Sequence, residues 1–308
     1  VMLSTSVEIV ADTPAMVLLA GGVTVFQVVW ILVWSYAFAG AGATADPLSI
    51  LFLVVANFWT VQVIKNVVHV SCAGTAASWY FSTNELNPTK AAFTRAMTTS
   101  FGSICMGSAT VAVLRTLRMV TPRRIQPRQN AFGAVLCGLA LVLSSCLERM
   151  LLISNHLAFT QIAIYGDEYV RAARQAYELV QKVGLLPIAN LALLQGIGWL
   201  SCTIGGGLAA LVGASMVPGF ALTQVFPTWA AATMSFLIGF CAVMPLTEAV
   251  DSCTTSIFVC FAKNPSVLKH SHRTELYEHI MEALAYARVD DIVEEDDKGD
   301  SGSDYTEE

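Results

Sequence analysis

A chain of 308 residues with 55% hydrophobic and only 13% charged side chains has too little polar surface to coat a water-soluble domain of its length. The composition excludes an ordinary cytosolic enzyme. The formal net charge of −6 is unevenly spread, with 13 acidic and 5 basic side chains from Lys263 onward and 10 acidic and 12 basic before it, so the acidity belongs to a tail.

Between Lys182 and Glu248 lie 65 consecutive residues without Asp, Glu, Lys or Arg, enough for two membrane spans of roughly 20 residues each. Other charge-free windows run from Thr13 to Ala45, Pro47 to Ile64, Asn66 to Asn84, Ala96 to Leu114 and Gln129 to Leu147. The chain opens on Val1 without the basic segment of a signal peptide and is read as missing its start. The first predicted span covers Pro14 to Phe38, with Trp30, Trp34 and Tyr36 near one end as an aromatic belt. Pro47 opens the second. Leu48 to Phe81 would reach about 51 Å as one helix, beyond a hydrocarbon core of roughly 30 Å, so it must tilt, protrude or break. A polar turn from Ser82 to Lys90 leads to a third span from Ala92 to Leu117. Arg115, Arg118, Arg123, Arg124 and Arg128 crowd its end, which the positive-inside rule assigns to the cytosol.

If Gln129 to Leu147 crosses, Arg171, Arg174 and Lys182 fall outside, against the same rule. Read as re-entrant, it leaves Arg118 to Lys182 cytosolic, and two later spans (Ile188 to Ala214, Thr228 to Val250) return the tail to the cytosol. The expected fold is therefore all-α: a polytopic α-helical membrane protein with five full spans plus one non-crossing or re-entrant apolar segment. The transmembrane domain covers residues 1–262 and includes a cytosolic segment over 118–186. Residues 263–308 form a cytosolic acidic tail, partly disordered because its last part lacks apolar periodicity.

The eight cysteines form no C-x-x-C pair and are expected mostly as small buried apolar residues. The five histidines show no zinc-binding spacing, so neither a metal nor another cofactor is expected. Ser103 and Gly107 in the third span, and Gly196, Gly198, Gly205, Gly206 and Gly207 in the fourth, permit close helix approach. The glycine cluster equally permits an unwound helix along a substrate path.

The second span carries most of the chemistry. Gln62, Asn66 and His69, at spacings of four and three, form one polar stripe, with Trp59 a turn before. Such a stripe either bonds neighbouring helices or lines a solute pathway. Lys65, Glu248 and Asp251 lie at or near membrane depth, where a lone charge costs roughly 2.5 to 3.5 kcal/mol at a helix centre. Lys65 is expected to pair with Glu248 or Asp251, which share a helix face; the alternative places Lys65 at an interface, with the acids at the helix mouth.

Several strings then stand out in order. Phe58-Trp59-Thr60-Val61-Gln62-Val63-Ile64-Lys65-Asn66-Val67-Val68-His69-Val70, continuing through Cys72-Ala73-Gly74 to Ser78-Trp79-Tyr80-Phe81, resembles the signature helix of the choline transporter-like family in its fungal, plant and protist form. Ser100 to Ser108, Asn155 to Gly166 and Ile257 to Phe261 resemble further family strings. Departures include Thr255 where the family usually has Asp, Phe159 for Tyr, Tyr169-Val170-Arg171-Ala172-Ala173 for the usual Phe-Cys-x-Ser-Ala, and Lys263-Asn264 for an acidic pair.

The resemblance implies the C-terminal half of a multi-spanning transporter of the plasma membrane, or of an organelle, with cytosolic termini. Its expected partners are membrane lipid and a small organic cation such as choline, and not nucleic acid. A quaternary ammonium asks for aromatic faces, which Trp59, Trp79 and Tyr80 can supply, and an acidic end at Glu248 or Asp251. Lys65 opposes such a ligand unless a carboxylate neutralises it. The alternative function is a non-transporting scaffold recruiting partners through the cytosolic segment and tail. No nucleophile and base, metal triad or phosphate-cradling loop marks an enzyme.

Overall fold

The computed structural model describes residues 2–41, 46–83, 85–120, 154–183, 186–219 and 228–269, with Tyr277, Glu278 and Met281. Every described element is helical. In chain order these are α1 (Met2–Asp12), α2 (Pro14–Ala41), α3 (Pro47–Tyr80), α4 (Pro88–Met97), α5 (Phe101–Val120), α6 (154–165), α7 (Tyr169–Val183), α8 (Leu186–Gly219), α9 (Thr228–Lys263) and α10 (Pro265–Lys269). Four are long and apolar enough to cross a membrane, and α4 with α5 makes a fifth when the bent pair counts as one span. The protein is an all-α, multi-pass membrane protein.

The spans begin and end for local reasons. Pro47 stands in the first turn of α3, where its missing N–H costs nothing and its φ suits a helix. The helix stops after Tyr80, where Phe81 and Ser82 donate back to Ala77 and Trp79 and Ser82 takes a left-handed backbone with φ 51°. The sequence predicts one straight third span, but α4 and α5 meet at 68°. At that break the hydroxyls of Thr98 and Thr99 donate to the carbonyls of Thr94 and Arg95, competing with the helical ladder. Before the first span, α1 buries Thr5, Ser6, Ile9 and Val10 on one face, and Ser6 meets Thr254 at 2.8 Å.

The centre of the bundle is the pairing of α3 with α9. Ser252 Oγ lies 2.8 Å from His69 Nδ1, Ser256 Oγ donates to the Ala73 carbonyl at 2.8 Å, and Tyr80 Oη donates to the Asn264 carbonyl at 3.0 Å. Partners stay 183 or 184 residues apart along the whole contact, so the two helices run parallel. The Ser252 to Ser256 run is buried yet satisfied, since Ser252, Thr254 and Thr255 donate to the carbonyls of Glu248, Val250 and Asp251.

The N-terminal half of α9 packs instead on antiparallel α8 through glycine. A β-carbon at Gly239 would lie 2.9 Å from the Gly205 carbonyl, and one at Gly206 would lie 3.0 Å from that of Phe236. Of the two readings of the glycine cluster, close packing within a continuous helix is the one observed. Pro245, which cannot donate to the Cys241 carbonyl, falls just before the polar contacts of α9 with α3 begin at Glu248. Cys72, Cys202, Cys253 and Cys260 are buried free thiols, as expected of most of the cysteines.

Helix directions correct the expected placement of chain ends. Gly74 packs on Ala92 while Asn66 bonds Ser108, so the α4–α5 pair runs against α3 and the arginine-rich end of α5 lies opposite the end of α9. Both were expected in the cytosol. The direction reverses before α7 because α6 is part of the bundle, running parallel to α9 from His156 beside Asp251 to Tyr165 beside Asn264. Residues 150–166 carry no charge, a window the sequence reading passed over by assigning them to a cytosolic segment. Gly166, at φ 71°, closes α6 in a conformation that favours glycine. Helix α7 buries Ala172, Ala176 and Leu179 and exposes Arg171, Arg174, Glu178 and Lys182. The window Gln129 to Leu147 and most of the acidic tail lie outside the described residues.

Candidate functional site

A cavity of about 240 Å³ opens where α3, α5, α6, α8 and α9 converge. Its polar wall comprises Gln62, Lys65 and Asn66 of α3, Asn155 and His156 of α6, and Glu248 and Asp251 of α9, with Arg115 of α5 at the margin. The lining also includes Phe159 of α6, the rings of Trp199 of α8 and Phe240 of α9 at a separation of 5.7 Å, apolar Leu194 and Met244, and Gln195 of α8, which bonds Asp251.

The predicted polar stripe is held from one side to the other. Gln62 Nε2 donates to Asn66 Oδ1 at 3.2 Å, and Asn66 Nδ2 donates to Ser108 Oγ at 2.8 Å, fixing both amides at the cavity edge. His69 lies one turn deeper and 1% exposed, its Nδ1 on Ser252 and its Nε2 3.1 Å from Thr160 Oγ1. Its ring centroid stands 3.8 Å from that of His156. Two of the three stripe residues therefore reach the cavity, and the third supports its floor.

Charge is paired across helices. Lys65 Nζ lies 3.2 Å from Glu248 Oε2, the first of the two pairings weighed from sequence. Asp251 Oδ2 lies 3.4 Å from His156 Nε2, a charged contact only when that imidazole is protonated, and without hydrogen-bond geometry. Glu248 Oε1 and Asp251 Oδ1 are buried acceptors without a hydrogen-bond partner among the described residues. Donor atoms of His69, His156 and Glu248 fall within 4.8 Å of one another. A metal there would have to displace the hydroxyl on one nitrogen of His69 and compete with Lys65 for Glu248; as it stands the trio is joined by hydrogen bonds and an ion pair.

Other predicted residues lie elsewhere. Trp59 is exposed, and its indole donates to the Cys105 carbonyl at 3.0 Å. Trp79 and Tyr80 stand about 15 Å along α3 beyond His69 and belong to other clusters. The aromatic faces expected from α3 are thus supplied to the cavity by α6, α8 and α9. Gly107 meets the rings of Tyr169 and Phe159, where a β-carbon would come within 2.5 and 2.7 Å; Ser103, one turn before it, is half-buried. Tyr169 Oη donates to Asn155 Oδ1 at 2.9 Å, and burial pushes its phenol above the usual range, so it stays a donor and orients Asn155.

The sequence reading missed His156, Phe159, Trp199 and Phe240 as cavity residues. The first two sit in the overlooked charge-free window with Asn155, Thr160 and Gln161. The last two sit in the 65-residue run, where nothing in the spacing separates a cavity-facing ring from a lipid-facing one.

A family profile described as plasma-membrane choline transporter matches residues 1–266. A CTL-like protein of Dictyostelium discoideum is 30% identical over 90% of this chain and 50% of its own length. Protein PNS1 of Debaryomyces hansenii is 28% identical over 78% of this chain and 49% of its own, and PNS1 of Kluyveromyces lactis 30% identical over 79% and 47%. The chain spans about half the length of the curated relatives it matches.

Proposed function

We propose that this chain, which belongs to the plasma-membrane choline transporter family, forms the part of a plasma-membrane transporter that binds and passes a small organic cation of the choline class. The observation that carries the reading is the cavity itself, lined by the carboxylate residues Glu248 and Asp251 and by the aromatic residues Phe159, Trp199 and Phe240. A quaternary ammonium donates no hydrogen bond; it is held by ring faces and by carboxylates, and the cavity has both, beside the cations Lys65 and Arg115. Lys65, the objection to a cationic ligand, is engaged by Glu248 at 3.2 Å. Asp251, which also lines the cavity, has no such cation beside it among the described residues unless His156 is protonated.

The test is uptake of labelled choline into vesicles holding the protein. Asp251→Asn should depress uptake and Trp59→Ala should spare it. Unchanged uptake by Asp251→Asn would remove the carboxylate from the account. A protein that passes no organic cation in either direction would instead favour the scaffold reading.

A further inference from the structure

The far end of α9 holds a second cation in an unusual setting. Lys263 Nζ donates to Gln161 Oε1 of α6 and to Gln175 Oε1 of α7, both at 2.7 Å, and stands 4.3 Å from the centre of the Tyr165 ring. Among the described residues no carboxylate oxygen lies within 4.0 Å of it. An ammonium has three N–H donors, and two neutral oxygens and one ring face use its whole capacity. Lys65, by contrast, is held by an opposite charge.

The cage is oriented for a cation. Gln175 is pinned by donating Nε2 to Asp167 Oδ2 at 2.9 Å, which turns its oxygen toward Lys263. Gln161 is fully buried, and its Nε2 has no partner among the described residues, so its oxygen faces the ammonium while its amide nitrogen goes unpaired. The side chains of Lys263 and Tyr165 are partly exposed, leaving the cage open to a solute from outside. Gln161 also shares α6 with His156 of the cavity, about 7.5 Å further along the helix axis.

We propose that Gln161, Gln175 and Tyr165 form a second ammonium subsite, filled here by the chain's own Lys263 and able to take an external alkylammonium when that side chain is absent or withdrawn. The two amide oxygens accept N–H donors, so the subsite prefers a primary ammonium to a quaternary one. This subsite is independent of the transport reading.

The experiment is chemical rescue in the purified full chain. Lys263→Ala removes the plug and keeps the cage, and thermal melting is followed with n-propylammonium, tetramethylammonium or sodium at equal ionic strength. Propylammonium should raise the melting temperature of Lys263→Ala by roughly 3 °C or more, leave the wild type unmoved, and act more strongly than tetramethylammonium. Adding Gln175→Leu should abolish the rise. If Lys263→Ala does not fold, recovery of folded protein with propylammonium replaces the melting readout. No rise and no recovery would overturn the subsite, as would a rise that survives Gln175→Leu. Choline uptake does not enter this measurement, so a failure of the transport reading leaves its outcome intact.

Discussion

Lys65 of α3 and Glu248 of α9 meet at 3.2 Å in the same register that pairs His69 with Ser252 and Ala73 with Ser256. The ion pair is one rung of a helix pairing, so its loss should be felt as packing as well as charge. Lys65 keeps 40% of its side chain exposed against 14% for Glu248, so screening moderates the pair. Lys65→Met strands the more buried partner and should cost about 1–3 kcal/mol, Glu248→Gln somewhat less. The double substitution should recover part of the loss. Thermal melting of all four proteins closes the cycle, and strict additivity would show that the two side chains are not coupled.

The aromatic wall makes a prediction about affinity. Trp199→Ala should raise the KM for choline about 3- to 30-fold, in line with a cation–π contribution of roughly 0.5–2 kcal/mol, and Trp79→Ala should leave it within about twofold. Uptake at graded choline concentrations separates the two. A larger effect from Trp79 would return the binding face to α3.

Helix directions predict which surfaces share a side of the membrane. Cysteines introduced at Leu86, between α3 and α4, and at Lys182, near the end of α7, should react with an impermeant thiol reagent from the same face. One at Arg118, near the end of α5, should react from the opposite face. Labelling of positions 118 and 182 from one side would contradict the parallel arrangement of α3, α6 and α9.

Glycine contacts between α8 and α9 should be unequal in cost. At Gly239 a β-carbon would press on Ala209 at 2.5 Å and on the Gly205 carbonyl, so Gly239→Ala should cost about 1–3 kcal/mol as the helices separate. At Gly196 nothing lies within 4 Å, and Gly196→Ala should be neutral or slightly stabilising. Melting curves in one detergent measure both.

Much of this protein is legible in its charge-free windows, since hydrophobic length is a direct physical demand of the bilayer. The first span matches its predicted limits of Pro14 and Phe38, and Pro47 marks the start of the next helix, whereas α4 starts at Pro88, inside the expected polar turn. The sequence narrows the Lys65 partner to Glu248 or Asp251, because an intramembrane charge tends to find another, but spacing alone does not choose Glu248. The placement of α6 was not. Its Asn155, His156, Thr160 and Gln161 look like the polarity of a loop until His69, Lys263 and Tyr169 stand opposite them, and those partners are up to 102 residues away. Trp199 and Phe240 illustrate a second limit: a ring facing lipid and a ring facing a cavity share the same residue type and the same apolar neighbours.

Pro245 stands between two kinds of contact along α9. Before it, glycine contacts clasp α9 to α8 with little slack; after it, α8 still touches α9 at Thr247 while hydroxyl bonds tie α9 to α3. Phe240 rides on the first part, beside the Trp199 ring of α8, and the carboxylates of Glu248 and Asp251 ride on the second. A few degrees of pivot at a residue that holds no ladder bond to Cys241 would change the gap between the Phe240 ring and the two carboxylates. The width of the cavity would then follow the angle of a single joint.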